Sequence, residues 1–278
     1  MALTDAVRPA PLDQSHLADC LALSVEAGWN QTADDWLLFL ERGTVFGILE
    51  DGRPVATGAV LPYADGFAWI SMVLVTQARR EQRLGTQILT SCLEHLDRRG
   101  LVPVLDATPA GERVYRPLGF EPIFGLTRWQ GRGEKAVPDS ARAMAASDLP
   151  TVTAMDAEAF GANRSFLLGS LFRRVPQYAF VTHDHTGFVL ARPGRLATQI
   201  GPVVAASQAV AARLLEAAIG SIKGPIFLDL ADRWTALSAI LEQRGFTVQR
   251  SFLRMARRRA LPFGNPQHLF VAAGPELG

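Results

Sequence analysis

The sequence predicts a mixed α/β protein of two similar halves, on three observations. Apolar runs of strand length alternate with segments whose apolar residues recur every three or four positions. A strand, a helix and a Gly-Phe stop occur once in each half. Between the halves, Gln130 to Asp139 carries Gly131, Gly133 and Pro138, the composition of a linker.

In the first half, Leu17, Leu21 and Val25 follow Asp13 at four-residue spacing, so Asp13 is the expected N-cap of a helix that Gly28 closes. A second helix is expected after Thr32, with Trp36 and Leu40 on one face and Gly43 as its stop. Asp51-Gly52 predicts a tight hairpin, since both residues tolerate positive φ. Phe67 to Val75 reads as an apolar strand, and a charged loop then opens a long helix. Its buried side is Ile88, Leu89, Cys92, Leu93 and Leu96, and Gly100 ends it. Val102 to Ala107 is a further buried strand, followed by a helix ending at Gly119 and a strand from Pro122.

The second half resumes a similar order. Helices are expected near Asp148 to Phe160 and Arg164 to Phe172, strands within Ala179 to Ile200, and a helix from Ser207 to Gly220. Pro103-Val104-Leu105-Asp106 leads to Gly119-Phe120 as Pro225-Ile226-Phe227-Leu228-Asp229 leads to Gly245-Phe246. Asp106 to Gly119 is 13 positions and Asp229 to Gly245 is 16, a difference of about one helical turn. The expected domains are residues 1–135 and 136–278.

Charge and composition narrow the function. With 48% hydrophobic and 20% charged residues, both halves can bury a core. A net charge of +1 lacks the footprint that nucleic acids or anionic membranes select, so neither partner is expected. The densest basic run, Arg254 with Arg257, Arg258 and Arg259, reads as a solvated strand end. Cys20 and Cys92 stand in no zinc-like or redox-like spacing, and the N-terminal residues lack the basic-then-apolar order of a signal peptide. A reducing cytoplasm is the expected compartment. His183 and His185 sit beside a turn signal with no third ligand, so no metal is expected. Nothing in the chain sets an oligomeric state.

The chemistry concentrates after the strand that ends in Val73-Leu74-Val75. Arg80-Glu81-Gln82-Arg83-Leu84-Gly85-Thr86 is a basic loop leading into a long helix, where free backbone N–H groups and the helix dipole favour an anion such as a pyrophosphate. This segment resembles the Arg/Gln-x-x-Gly-x-Gly/Ala pattern that the GNAT (GCN5-related N-acetyltransferase) family carries after its fourth strand. Arg80 and Gly85 match; Arg83 stands where the family has its middle glycine. Asp106 to Phe120 is similar to the family's later segment, which ends in Tyr-x-x-x-Gly-Phe.

The resemblance implies two tandem GNAT-type acyl-CoA N-acyltransferase domains, each a mixed, mostly antiparallel sheet flanked by helices. It implies acetyl-CoA as cosubstrate, bound by Val73, Leu74, Val75, Arg80, Glu81, Gln82, Arg83, Leu84, Gly85, Thr86 and Thr108. Tyr115 takes the place of the family's general acid. The acceptor would be a primary amine, on a small molecule or a protein, with Gly28-Trp29-Asn30 near its pocket and Glu26 or Asp106 as base by position. Phe160 to Arg164, Ile200 to Val204 and Gly274 to Gly278 resemble a tandem subgroup labelled YitH/HolE-like. Its second half here lacks the arginine-glycine loop after Val204 and has Leu241 where the first half has Tyr115, so it is expected to be degenerate. Two other classes stay open: an acetyl-CoA sensor without turnover, and a protein-interaction role for the second half.

Overall fold

The computed structural model describes residues 8–63, 66–133 and 141–278. Two compact units divide them: one reaches Pro62 and resumes from Gly66 to Pro103, and the other takes Tyr63 and the chain from Val104 onward. The boundary expected near residue 135 lies outside the described residues.

In the first unit, β1 (Ala10–Leu12) precedes α1 (Leu17–Glu26) and α2 (Ala33–Arg42). The buried stripe of α1 is Cys20, Leu23 and Ser24, while Val25 is exposed, so the helix is rotated from the expected Leu17-Leu21-Val25 face. Trp36 explains the rotation: its buried indole N–H donates to Ser24 Oγ at 2.9 Å. β2 (Thr44–Glu50) and β3 (Arg53–Tyr63) form the expected hairpin, with Asp51 and Gly52 at φ 49° and 76°. β4 (Phe67–Val75) follows β3 in the sheet, and α3 (Leu84–Arg99) buries all five residues expected of it. Gly58 lets α3 sit close to the sheet, because a Cβ there would stand 2.3 Å from Ile88 Cγ2. Cys20 and Cys92 are buried free thiols whose pKa burial pushes up to about 12, which removes thiolate reactivity.

The second unit begins within β5 (Val102–Ala107) and contains α4 (Pro109–Tyr115), β6 (Phe120–Gly133), β7 (Arg142–Ala143), α5 (Leu149–Phe160) and α6 (Ser165–Arg174). Then come β8 (Phe180–Val181), β9 (Gly187–Arg192), β10 (Thr198–Ala205), α7 (Gln208–Ser221) and β11 (Gly224–Ala231). α8 (Thr235–Gln243), β12 (Thr247–Arg257) and β13 (Leu269–Ala272) complete it. β12 pairs with β5 on one side and β6 on the other, and β6 in turn pairs with β11. The two strands that follow the Gly-Phe stops therefore lie side by side, each next to the other repeat's preceding strand.

That exchange corrects one expectation. Gln130 to Gly133, read as the start of a linker, is the end of β6, in register with Gly224 to Phe227. Its glycines mark close approach and not a turn: a Cβ on Gly131 would meet Phe246 Cγ at 2.5 Å, and one on Gly133 the Ile222 carbonyl oxygen at 2.2 Å. The core lies between the sheet and α7, where Ile200, Val203, Leu214, Ile226 and Leu228 are buried together.

The other sheet face carries buried ion pairs. Arg128 and Asp229, opposite each other on β6 and β11, form two hydrogen bonds of 2.8 Å, and Arg254 reaches Asp106 through two of 2.9 Å. Arg254 is 5% exposed, so the basic run is not a solvated strand end at its first residue. Buried Arg164 likewise forks onto Asp156.

Candidate active site

The loop of the first unit is built from β4 outward. Within that strand Met72 has φ 54°, a bulge geometry that turns the strand, and its carbonyl accepts from the buried Thr57 hydroxyl at 3.0 Å. Beyond the turn Val73 and Val75 are partly exposed while Leu74 is buried. Glu26 holds the start of the loop: its carboxylate accepts from Thr76 Oγ1 at 2.9 Å and from the Gln77 N–H at 2.6 Å. Arg79 forks onto Glu50 at 2.9 and 2.7 Å, so the loop is anchored from the end of a helix and the end of a strand.

Arg80, Glu81, Gln82 and Arg83 are exposed, and α3 begins immediately after them. Glu81 and Arg83 both have positive φ, 66° and 60°. Such residues in a turn gather successive backbone N–H groups into an anion-binding concavity. Arg83 is the N-cap of α3 and makes no side-chain cap hydrogen bond, and the first turn of α3 has no acidic residue. The leading N–H groups of Leu84, Gly85 and Thr86 thus keep their capacity for an anion. A Cβ on Gly85 would meet only Val75 Cγ2 at 3.6 Å, an ordinary contact, which accounts for a Gly/Ala position.

Arg83 explains the departure from the family pattern. A non-glycine residue at φ 60° and ψ 14° keeps the backbone shape that glycine adopts freely, at a cost of about 1–2 kcal/mol. The loop conformation persists although the residue type changed.

In the second unit, Thr108 is the N-cap of α4, accepting from the Gly111 N–H at 3.2 Å. Tyr115 ends that helix. Its ring lies over Gly111, where a Cβ would come within 3.0 Å of Cε2, and tilts against Phe120 at 5.7 Å between centroids. Gly119 stops the turn at φ 84°, and β12 ties it down: Arg257 Nε donates to the Leu118 carbonyl at 3.1 Å and the Arg258 N–H to the Gly119 carbonyl at 2.8 Å.

Both carboxylates proposed as bases have other engagements. Glu26 caps the loop, as above. Asp106 is buried with both oxygens on Arg254; burial pushes its pKa up, and Arg254 opposes that. His185 pairs with Asp148, which burial alone would raise but which the Arg142 hydrogen bonds hold well below the usual carboxylate range.

The corresponding junction of the second half is closed by its own chain. Ser207 caps α7 by accepting from the Val210 N–H at 3.3 Å, and the Ala206 N–H donates to the Thr186 carbonyl at 2.8 Å. β10 and β11 pair in parallel from Thr198↔Ile226 to Ile200↔Leu228 and then part. β13 fills the opening, pairing antiparallel with β10 at Val203↔Val271 and with β11 at Leu230↔Val271. Leu241, at the tyrosine position, is buried in the α7 core. Sequence reasoning missed β13 and the arginine–carboxylate pairs; the repeat of Pro103 to Asp106 and Pro225 to Asp229 carried both aspartates without showing what they pair with.

Family models place both halves in one group: one described as acetyltransferase (GNAT) family matches residues 14–120, and one described as acetyltransferase (GNAT) domain matches residues 152–271. The chain is 25% identical to holothin acyltransferase of Pseudoalteromonas sp. (strain SANK 73390), over 98% of this chain and 94% of that one. It is 23% identical to the uncharacterized N-acetyltransferase YitH of Bacillus subtilis (strain 168), over 96% and 97%. A Pyrococcus horikoshii protein solved as a candidate acetyltransferase has the same fold, with a TM-score of 0.80 at 19% identity, covering 100% of this chain and 98% of that one.

Proposed function

The chain belongs to the GNAT superfamily as a tandem acyltransferase, and from that premise we propose that it transfers the acetyl group of acetyl-CoA to a primary amine by direct attack. The observation that carries this reading is the loop before α3, whose N-terminal N–H groups are uncapped and whose Arg83 keeps the glycine-like backbone. Arg80 to Thr86 would hold the pyrophosphate, with the Arg83 guanidinium adding a charge-assisted hydrogen bond. Val73 and Val75 offer backbone groups to the pantetheine arm, as an edge strand does to an added strand.

Acetyl-CoA supplies an activated thioester. The amine nitrogen forms the new C–N bond as the C–S bond breaks, and a backbone N–H at the end of β4 donates to the carbonyl oxygen as charge develops. Tyr115 gives its proton to the leaving sulfur, and the amine's proton passes to water. No metal and no covalent enzyme intermediate enters. The second half contributes no cofactor site, consistent with its capped α7 and with β13 lying where a pantetheine strand would add.

Gly85→Glu tests the loop directly. A glutamate in the first turn suits the helix dipole, so the variant should fold, while its carboxylate opposes a pyrophosphate. Calorimetric titration should give one acetyl-CoA per wild-type chain and at least about tenfold weaker binding in the variant, about 1.4 kcal/mol. Unchanged affinity in a folded variant, or two sites per chain, would reject the assignment.

A further inference from the structure

The second unit carries a row of arginines and phenylalanines that none of the steps above uses. On one face of β6 and β12, Arg254 lies opposite Phe124, Phe252 opposite Leu126 and Arg250 opposite Arg128. Arg128 stacks between two rings, 5.5 Å from the Phe227 centroid and 5.3 Å from that of Phe252. Phe124 serves two guanidinium groups at once, Arg254 at 4.9 Å and Arg233 at 4.7 Å.

The charges along this row do not balance. Asp229 and Asp106 are committed to Arg128 and Arg254, and Glu276 to Arg192. Among the described residues neither Arg233 nor Arg250 has a salt-bridge partner. Asp232, next to Arg233 in sequence, bonds the Thr127 hydroxyl at 2.7 Å, and Thr127 alternates to the opposite face of β6 from Phe124 and Arg128. Burial lowers the Arg233 pKa and the neighbouring Arg254 charge lowers it further. A guanidinium held by an aromatic ring keeps its N–H edge for a planar, two-oxygen partner.

The location gives this a function. Arg254 pairs with Asp106 at the end of β5; Thr108 and α4 follow, with Tyr115 at the far end of a helix that packs on β12. We propose that Arg233, seated on Phe124, binds a carboxylate of the acceptor, so that the acceptor class is a primary amine that also carries a carboxylate. The proposal rests on the transferase reading above. Arg250, opposite Arg128, is about 13 Å along the strand from Phe124 and contributes only through its screened field.

The test uses the full-length protein, released CoA thiol, and acceptors in pairs: 4-aminobutyrate, 6-aminohexanoate and phenylalanine, each against its carboxamide. At least one pair should show kcat/KM about tenfold higher for the carboxylate, the scale of a hydrogen bond to a charged group. In Arg233→Gln that ratio should fall toward one through a higher KM for the carboxylate, Arg233→Lys should keep part of it, and Arg250→Gln should leave it within about twofold. Equal use of both members by the wild type, or an unchanged ratio in a folded Arg233→Gln protein, overturns the proposal. If no amine is acetylated, the transferase reading fails first, and calorimetric titration with the same carboxylates decides this site separately. Binding lost in Arg233→Gln then supports the carboxylate site, and no binding by the wild type overturns it.

Discussion

Tyr115 closes α4 with its ring over Gly111 and against Phe120, a position set by local chain geometry. Its proposed task is small in energy. A CoA thiolate resembles a cysteine thiolate, with an ordinary pKa near 8.5, and leaves tolerably well unaided, whereas a phenol near 10 can still donate as charge builds on sulfur. Removing a positioned acid costs about 10² to 10⁴ in rate, so Tyr115→Phe should fall at the low end, roughly 10- to 300-fold in kcat, with acetyl-CoA KM little changed. Steady-state kinetics with the true amine checks this, and a full kcat under rate-limiting chemistry would leave Tyr115 a packed aromatic. The local positions of Tyr115 at the end of α4 and Arg83 at the start of α3 were legible because their neighbours in sequence define them. Asp106 was not, since its partner Arg254 is 148 residues away.

At the scale of elements, α3 and α7 start from equivalent strand ends and differ in how their first N–H groups are met. Ser207 meets those of α7 from within the chain; Arg83 leaves those of α3 without a side-chain cap. Arg83→Gly separates the loop's shape from its charge. Glycine removes the left-handed strain of about 1–2 kcal/mol but adds flexibility to the unfolded chain worth about 0.5–1 kcal/mol, so stability should rise by no more than about 1.5 kcal/mol. If the guanidinium bonds a phosphate, acetyl-CoA affinity should nonetheless fall by about tenfold. Denaturant melts and calorimetry on the same protein read the two effects, and equal or tighter binding would show that Arg83 only shapes the loop.

For the second unit as a whole, the strand exchange makes β6 and β12 depend on residues far away in sequence. Arg128 on β6 and Asp229 on β11 are the buried charge pair at that junction, with Gln199 donating to Asp229 at 3.0 Å. Arg128→Met would strand the Asp229 carboxylate in the interior and should cost about 3–5 kcal/mol. Adding Asp229→Leu should recover most of that loss, because an apolar pair of similar volume replaces a desolvated ionic one. Urea unfolding of both variants measures the difference, and an additive loss in the double variant would place the stability in specific bonds and not in the burial of charge.

The residues by themselves determined the local elements: the helical faces of α3, the Asp51-Gly52 hairpin, the basic loop entering a long helix, and the two Gly-Phe stops. Each depends on side-chain periodicity or φ preference within a few positions, which a linear pattern displays. Tertiary structure decided which strands became neighbours, placing β12 between β5 and β6 and β13 between β10 and β11. Every strand edge offers the same backbone donors and acceptors, so pairing is chosen by which side chains fit across it. Gly131 under Phe246 and Arg128 against Asp229 are such fits, and neither partner can be read until the chain has folded.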